Sequence, residues 1–217
     1  LVVERARQGR AEAMAGADPE TERQQWQALA DAEDPRLAAE GEIGLARLAV
    51  KANDRAVAVR RYSRVLDGFP NQPESRLVAS RELARLHQAA GETDAAARVL
   101  QEALASAPSD ETTVILREDL AKVLQGAGRY DAARDVMKQT LKDFAADLEF
   151  SARANLHLAG IADQRGSVDE ALALYDAVAD ADVDLDLRAS ARFGQATLAR
   201  RIGRVDDALP LMDTVLE

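Results

Sequence analysis

The sequence predicts an all-α fold, a solenoid of about six helix–turn–helix hairpins. One pattern recurs along the 217 residues: a glycine or polar turn, an acidic residue, a fixed alanine and an apolar stripe. The turn residues are spaced by 37 or 38 residues throughout. They are Gly16, Asn53, Gly91, Gly128, Gly166 and Gly203. Apolar residues on both sides of each turn follow helical spacing, and no long stretch alternates with the period of a strand.

Each hairpin is predicted as a first helix, a tight turn and a second helix. Glycine at the turn suits the left-handed conformation that ends a helix tightly. Pro35 and Pro73 mark first helical positions, and Ser109 or Asp110 is expected to cap the fourth hairpin. We expect one array over 1–217. Its approximate repeats are 1–34, 35–71, 72–108, 109–146, 147–183 and 184–217.

Small residues occupy two fixed places in the repeat, seven residues before the turn residue and five after it. Matched small residues allow the two helix axes of a hairpin to approach closely, near the short end of the usual ~8–10 Å. A bulky residue at either place would separate the helices. The first place holds Gly9, Ala46, Ala84, Ala121, Ala159 and Ala196, and the second Thr21, Ala58, Ala96, Ala133, Ala171 and Ala208.

This pattern resembles the tetratricopeptide repeat family over essentially the whole chain, and the resemblance implies a right-handed solenoid. The residues that carry it are Leu83-Ala84, Gly91, Ala96, Leu100, Ala103 and Pro108, with Leu45-Ala46, Ala58, Tyr62, Val65 and Pro70. The period is about three to four residues longer than the family's usual 34. We therefore expect each first helix to gain about one turn at its N-terminus. The family's early tryptophan is absent, and its place holds Glu42, Ser80, Arg117, Asn155 and Arg192.

Composition and motifs argue against several classes of function. Without cysteine there are no disulfides, thiol catalysis or zinc–thiolate sites. A net charge of −10 argues against nucleic-acid binding, which depends on neutralising phosphates. No catalytic motif appears, and His87, His157 and Trp26 are interpreted as packing residues. The acidic run 180–186 lacks the glycine and glutamate of an EF-hand loop, and whether it binds a cation stays open. We predict no enzyme, cofactor or metal site.

The sequence says less about the regions that flank this chain and about the compartment of the protein. It begins without methionine and ends inside a predicted helix, so we expect it to be a piece of a longer protein. The segment 62–73 is similar to longer-period arrays of bacterial envelope proteins. That similarity favours the periplasm or envelope over the cytoplasm, although the compartment is open.

The resemblance also implies that the first helices line a concave groove. The groove positions carry nine basic residues and three acidic ones, despite the net negative charge of the chain. The basic residues are Arg10, Arg47, Lys51, Arg81, Arg85, Lys122, Arg153, Arg200 and Arg201, and the acidic ones Glu40, Glu118 and Asp163. Cations near helix C-termini can simply offset the helix dipole, but several of these lie mid-helix, where that effect has faded.

The predicted function is a non-catalytic scaffold that binds an acidic or extended peptide, or a protein partner, in this groove. The predicted contact residues are Arg47, Lys51, Arg81, Arg85, Lys122, Arg153, Leu156, Phe193 and Arg200. The family's clamp of paired lysine and asparagine is not matched. The alternative is a structural module for homo-oligomerisation or assembly of a larger complex. Exposed apolar side chains in the groove would favour a peptide ligand over this alternative, and they are expected at Ile43, Ile115, Leu156 and Phe193. Weak self-association is expected through C-terminal apolar residues, which are Leu209, Met212, Val215 and Leu216.

Overall fold

The computed structural model describes residues 18–107 and 109–204, and these two ranges contain ten α-helices and no strand. The chain divides into two compact units, Leu1–Pro108 (unit 1) and Ser109–Glu217 (unit 2). Unit 1 contains α1 (Pro19–Ala30), α2 (Pro35–Lys51), α3 (Arg55–Gly68), α4 (Pro73–Ala89) and α5 (Thr93–Leu104). Unit 2 contains α6 (Asp110–Gly126), α7 (Tyr130–Asp143), α8 (Leu148–Gln164), α9 (Val168–Ala179) and α10 (Leu185–Arg201).

The helices form the predicted hairpins, and the all-α solenoid class is confirmed. In each unit a helix packs against the described helix before and after it in the chain. Successive first helices also touch: α2 with α4, α6 with α8, and α8 with α10. The prediction of one array over 1–217 stays a prediction.

Each first helix has 17 residues, whereas the second helices have 12 or 14. The extra residues of the repeat lie between one hairpin and the next, as in 71–76 and 109–114. α4 begins at Pro73 and α6 at Asp110, inside these two segments. The added residues therefore extend the N-terminus of the first helix, as the sequence predicted. Of the two candidates for the cap of α6, Ser109 accepts the backbone N–H of Thr112 at 3.2 Å.

The turns have the left-handed backbone that the sequence predicted. φ is positive at Gly91, Gly128, Gly166 and Gly203, between 73° and 81°, and 57° at Asn53. Asparagine is among the few other residues that adopt this conformation readily. Gly16 lies outside the described residues.

The small residues lie where the hairpin helices meet. Ala46, Ala58, Ala96, Ala121, Ala133, Ala159, Ala171 and Ala196 are fully buried, and Ala84 nearly so. Gly9 and Ala208 lie outside the described residues. The burial confirms the register of the repeat across the described hairpins.

Replacing Ala96 or Ala133 with leucine should lower the free energy of unfolding by ~1–3 kcal/mol, because the extra atoms must push two closely packed helices apart. Chemical denaturation followed by circular dichroism measures this change. Ala56, exposed on α3, offers a control position. Midpoints for both leucine variants equal to that of the parent would mean that the assigned register is wrong.

At two of the places of the family's early tryptophan, a charged residue pairs with the second helix of its own hairpin. Glu42 is 2% exposed and lies 2.9 Å from Arg61 and 3.2 Å from Arg64 of α3, between carboxylate oxygens and guanidinium nitrogens. Arg117 pairs with Asp143 of α7 at 2.6 Å. Ion pairs between the two helices thus replace an aromatic contact in these hairpins.

The α1–α2 interface is closely packed around two glycines. A Cβ atom at Gly41 would lie 2.1 Å from the backbone nitrogen of Ala30. One at Gly44 would lie 2.1 Å from the indole ring of Trp26. Trp26 is therefore a packing residue, as predicted.

Candidate protein-interaction face

In unit 1, three arginines lie on the neighbouring first helices α2 and α4. Arg47, Arg81 and Arg85 are all exposed, and we call them the basic face. Arg47 and Arg85 hold the same place in consecutive repeats, and Arg81 is one turn before Arg85 on α4. Because residues four apart share one side of a helix, Arg81 and Arg85 lie on the same side of α4.

Tyr62 of α3 is buried against α2 and α4, the two helices that carry the basic face. Its side chain is 1% exposed. Burial raises the pKa of Tyr62 to about 12, and the nearby Glu82 carboxylate acts in the same direction. Arg47 and Arg85 oppose this rise electrostatically. The phenol is therefore neutral at physiological pH, and groups from α2, α3 and α4 converge around it.

The other expected groove residues of unit 1 vary in exposure. Lys51 is exposed and lies 3.6 Å from Glu22, measured from ammonium nitrogen to carboxylate oxygen. Arg85 lies 3.4 Å from Glu82 on its own helix. Ile43 was expected to offer apolar surface in the groove, but it is only 6% exposed and packs in the core with Tyr62 and Leu83. That expectation was wrong because position 43 faces the α2–α4 contact.

In unit 2, the charge of Arg153 is balanced by two carboxylates from α6. Its guanidinium donates to both oxygens of Glu118, at 2.8 and 3.0 Å, and to Glu111 at 2.8 Å. These hydrogen bonds, Glu118 first, raise the pKa of Arg153. The two carboxylates also fix the guanidinium between α6 and α8. Arg153, a predicted contact residue, therefore also forms ion pairs that link two successive hairpins.

The remaining cations of unit 2 differ in their surroundings. Lys122 is exposed, and its ammonium lies 3.8 Å from Asp119 on the same helix. Arg201 pairs with Asp163, a groove position of the preceding hairpin. Arg200 is exposed at the end of α10. Arg10 lies outside the described residues.

The apolar contact residues of unit 2 lie on α8 and α10. Leu156 is half-buried and packs against a core cluster that includes Ala152, Val178 and Ala191. Phe193 holds the same place one repeat later and is 58% exposed. Phe193 is therefore an exposed large apolar side chain among the predicted contact residues of unit 2.

The surroundings of the two histidines agree with the packing role that the sequence predicts for them. His157 is largely buried, and burial lowers its pKa; its Nε2 lies 3.9 Å from Glu118. His87 Nδ1 lies 2.6 Å from a carboxylate oxygen of Glu92, which Arg55 of α3 also binds. Each histidine thus contributes to packing between helices of its own unit.

Within residues 18–107 and 109–204, no group of three or more acidic or histidine side chains is arranged to hold a metal ion. In the acidic run 180–186, Asp184 caps α10 by accepting the backbone N–H of Asp186 at 3.2 Å. Asp180 lies 3.6 Å from Arg192. None of the described helices has the length and apolar character needed to cross a membrane.

Sequence reasoning did not place Tyr62 close to the basic face, where Arg47 and Arg85 act on its hydroxyl electrostatically. It had placed Tyr62 only as the bulky core residue of its repeat. The available signal was the hydroxyl itself, since the equivalent places in the next two repeats hold the apolar Leu100 and Met137.

Comparison with known proteins agrees with this architecture. Two family profiles described as tetratricopeptide repeat match residues 49–114 and 118–186, together more than half of the chain. No curated protein matches the sequence.

Solved structures share the fold at low sequence identity. BtubC (BKLC) from P. vanneervenii is 17% identical with a TM-score of 0.68, covering 92% of this chain and 90% of that one. A putative kinesin light chain from Podosopora anserina with TPR-like repeats is 22% identical with a TM-score of 0.59, covering 85% and 95%. The apo quorum sensor NprR from B. thuringiensis is 13% identical with a TM-score of 0.61, covering 90% and 58%. Such repeats are in general non-catalytic scaffolds that bind protein partners. The chain belongs to the tetratricopeptide repeat family.

Proposed function

We propose that this chain is a protein-interaction scaffold that binds an acidic, extended segment of a partner on the basic face of unit 1. One observation carries the proposal. Arg47, Arg81 and Arg85 are exposed together on neighbouring first helices of a chain whose net charge is −10. Mid-helix cations of this kind gain little from the helix dipole, whose effect is confined to the last turn.

Binding at this face would depend on charge-assisted hydrogen bonds. Guanidinium groups bind carboxylates through paired donors, and such bonds are stronger than bonds between neutral groups. The face is solvent-exposed, so the attraction weakens as added salt shortens the Debye length below ~10 Å. An extended segment fits because it can bring successive side chains to α2 and α4 without having to fold first.

The other predicted contact residues contribute unequally in this proposal. Lys51 and Lys122 add charge, although each has a carboxylate within 4 Å. Arg153 contributes mainly by holding α6 to α8, since Glu118 and Glu111 already neutralise it. In unit 2, Phe193 offers an exposed apolar side chain at the place that Leu156 holds one repeat earlier, and Arg200 adds an exposed charge.

The test reverses two charges of the basic face. A fluorescein-labelled peptide of alternating Glu and Ser serves as the probe, with the matching Gln and Ser peptide as the neutral probe. The double variant Arg81→Glu and Arg85→Glu should weaken binding of the acidic peptide about tenfold or more. It should also flatten the dependence of affinity on salt between about 0.05 and 0.5 M.

The matched control reverses two arginines on second helices. Arg60→Glu and Arg98→Glu change the net charge equally but alter exposed positions on α3 and α5. These two changes should weaken binding of the acidic peptide by no more than about twofold, because they alter only the net charge of the protein and not the proposed contact. If both double variants weaken binding equally, or neither does while circular dichroism shows intact helices, the basic face is not the binding surface.

The alternative of a homo-oligomerisation module rests on different residues. Leu209, Met212, Val215 and Leu216, through which self-association was expected, lie outside the described residues. Light scattering of the parent during the same experiments separates the two ideas: a concentration-independent monomer that binds the acidic peptide favours the scaffold.

A further inference from the structure

Four glycines lie in the interior of the described helices, where glycine is less favourable than alanine. Close packing accounts for three of them. At Gly41, Gly44 and Gly194 a Cβ atom would lie 2.1–2.4 Å from atoms of a neighbouring helix. At Gly160 of α8 the nearest atom would be the amide nitrogen of Gln125, at 3.8 Å, which is an ordinary contact. Packing within the chain therefore gives no reason for glycine at position 160.

Gly160 lies at a place in the repeat that elsewhere carries an exposed side chain. Six residues before the turn, the three preceding hairpins hold Arg47, Arg85 and Lys122, and all three are exposed. α8 packs between α6 and α10, which carry Lys122 and Thr197 at this place. Because Gly160 has no side chain, the backbone of α8 forms the floor of an open notch between these two helices.

The notch has apolar edges. Leu156 lies one turn before Gly160 on the same side of α8, and it is held there by its packing against the core of the hairpin. Phe193 takes the place of Leu156 on α10 and is 58% exposed. Thr197 follows Phe193 by one turn. We define the notch by these four residues, Leu156, Gly160, Phe193 and Thr197.

The charged groups around the notch favour an acidic ligand. The carboxylates of Glu118 and Asp163 each bind an arginine of the next first helix, so their charges are balanced. Lys122 on α6 and Arg200 on α10 are exposed on the two flanking helices, and Lys122 has Asp119 of its own helix at 3.8 Å. Carboxylates on both sides of an apolar ligand group would be complementary to these cations.

We propose that the notch of unit 2 binds an aromatic side chain from an acidic segment of a partner. The inference goes beyond the basic face of unit 1, because it gives unit 2 a site of its own. Without a Cβ atom at Gly160, a flat ring can lie directly against the backbone of α8. The exposed ring of Phe193 then offers an offset or edge contact, which aromatic pairs favour. Aromatic side chains also lose little conformational entropy on binding.

The test compares two short peptides, acetyl-Glu-Ser-Trp-Ser-Glu-amide (the Trp peptide) and the same peptide with alanine in place of tryptophan (the Ala peptide). NMR titration follows binding through the backbone amide signals of residues 156–164. The parent protein should bind the Trp peptide about tenfold or more tightly than the Ala peptide, because only the Trp peptide buries a ring. Equal affinities would overturn the inference. A peptide with leucine at the centre that binds as tightly as the Trp peptide would overturn it too.

Substitutions at Gly160 test the notch itself. Gly160→Leu should fill it and bring the affinities of the two peptides within about twofold of each other. Gly160→Ala should weaken binding of the Trp peptide by about tenfold, although the same change should stabilise the helix. Opposite effects on binding and stability are not expected of a glycine with a purely structural role. Ala173→Leu adds the same bulk at an exposed position of α9 and should bind both peptides like the parent. A Gly160→Leu variant with the parent's preference for the Trp peptide would show that the notch is not the site.

A further variant and the Glu–Ser peptide complete the test. Phe193→Ala should weaken binding of the Trp peptide about two- to tenfold, the range for one aromatic pair. If Arg81→Glu and Arg85→Glu together leave the affinity for the Glu–Ser peptide unchanged while Gly160→Leu removes the preference for the Trp peptide, the proposed function fails and the notch stands. If the double variant weakens that affinity and Gly160→Leu changes nothing, the basic face stands and the notch fails. Circular dichroism of each variant confirms that the hairpins are folded.

Discussion

Replacing Tyr62 with alanine should lower the free energy of unfolding of unit 1 by ~3–5 kcal/mol, the largest effect we expect from one substitution. The ring packs among Ala39, Ile43, Val65 and Leu83, and therefore holds α2, α3 and α4 together. Its removal leaves a cavity that the closely packed neighbours cannot fill, so both the burial of the ring and its packing contacts are lost.

Chemical denaturation gives the measurement, with Trp26 fluorescence reporting on unit 1 and ellipticity on the whole chain. Trp26 is the single tryptophan of the sequence. Tyr62→Phe keeps the ring and nearly all of its volume, so it should cost less than ~1.5 kcal/mol. Val50→Ala, at an exposed position of α2, should change stability by less than ~0.5 kcal/mol. A Tyr62→Ala variant as stable as Val50→Ala would contradict the assigned core.

The second large effect is expected at Gly41. In an open part of a helix, Gly→Ala stabilises by ~0.5–1 kcal/mol because the backbone loses less entropy on folding. At Gly41 the new Cβ would meet backbone atoms of Leu29 and Ala30 at 2.1–2.6 Å, and backbone cannot rotate away as a side chain can. The α1 and α2 axes must therefore separate. We expect Gly41→Ala to destabilise unit 1 by ~1–3 kcal/mol.

Gly160, inside α8 and one turn before its end, provides the matched control. A Cβ there would meet only the amide nitrogen of Gln125, at 3.8 Å, which is an ordinary contact. Gly160→Ala should therefore stabilise by ~0.5–1 kcal/mol. The two alanine variants should move the denaturation midpoint in opposite directions. A shift in the same direction for both would show that the close α1–α2 approach does not limit position 41.

The repeat itself was predictable because each of its signals has a local cause. A left-handed turn requires glycine or a close substitute, so Asn53 could be aligned with Gly91 and Gly128 from spacing alone. The small residues Ala96 and Ala133 could be placed because bulk is excluded wherever the hairpin helices meet. Periodicity then determined the number and order of the helices.

Whether a groove residue is exposed, buried or paired with a charged partner could not be predicted in the same way. Arg153 was counted as a groove cation, but its partner Glu118 lies 35 residues earlier and is reached only when α6 and α8 pack together. Ile43 was assigned to the groove because one helical face serves both the groove and the contact with the next first helix. A repeat pattern names the face of a helix, whereas the neighbouring side chains decide whether a residue there is exposed, buried or paired.

The strictly neighbour-to-neighbour packing of these helices also bears on how the protein is made. In each unit the described helices touch only the elements next to them in the chain or the next first helix, so contacts join residues close in sequence. Helical proteins with such local contacts fold in microseconds to milliseconds. Ribosomes extend a chain by ~5–20 residues per second, so one repeat takes ~2–7 s to emerge. Each hairpin therefore has ample time to form before its successor is complete. The order in which the hairpins assemble is then set by the direction of synthesis.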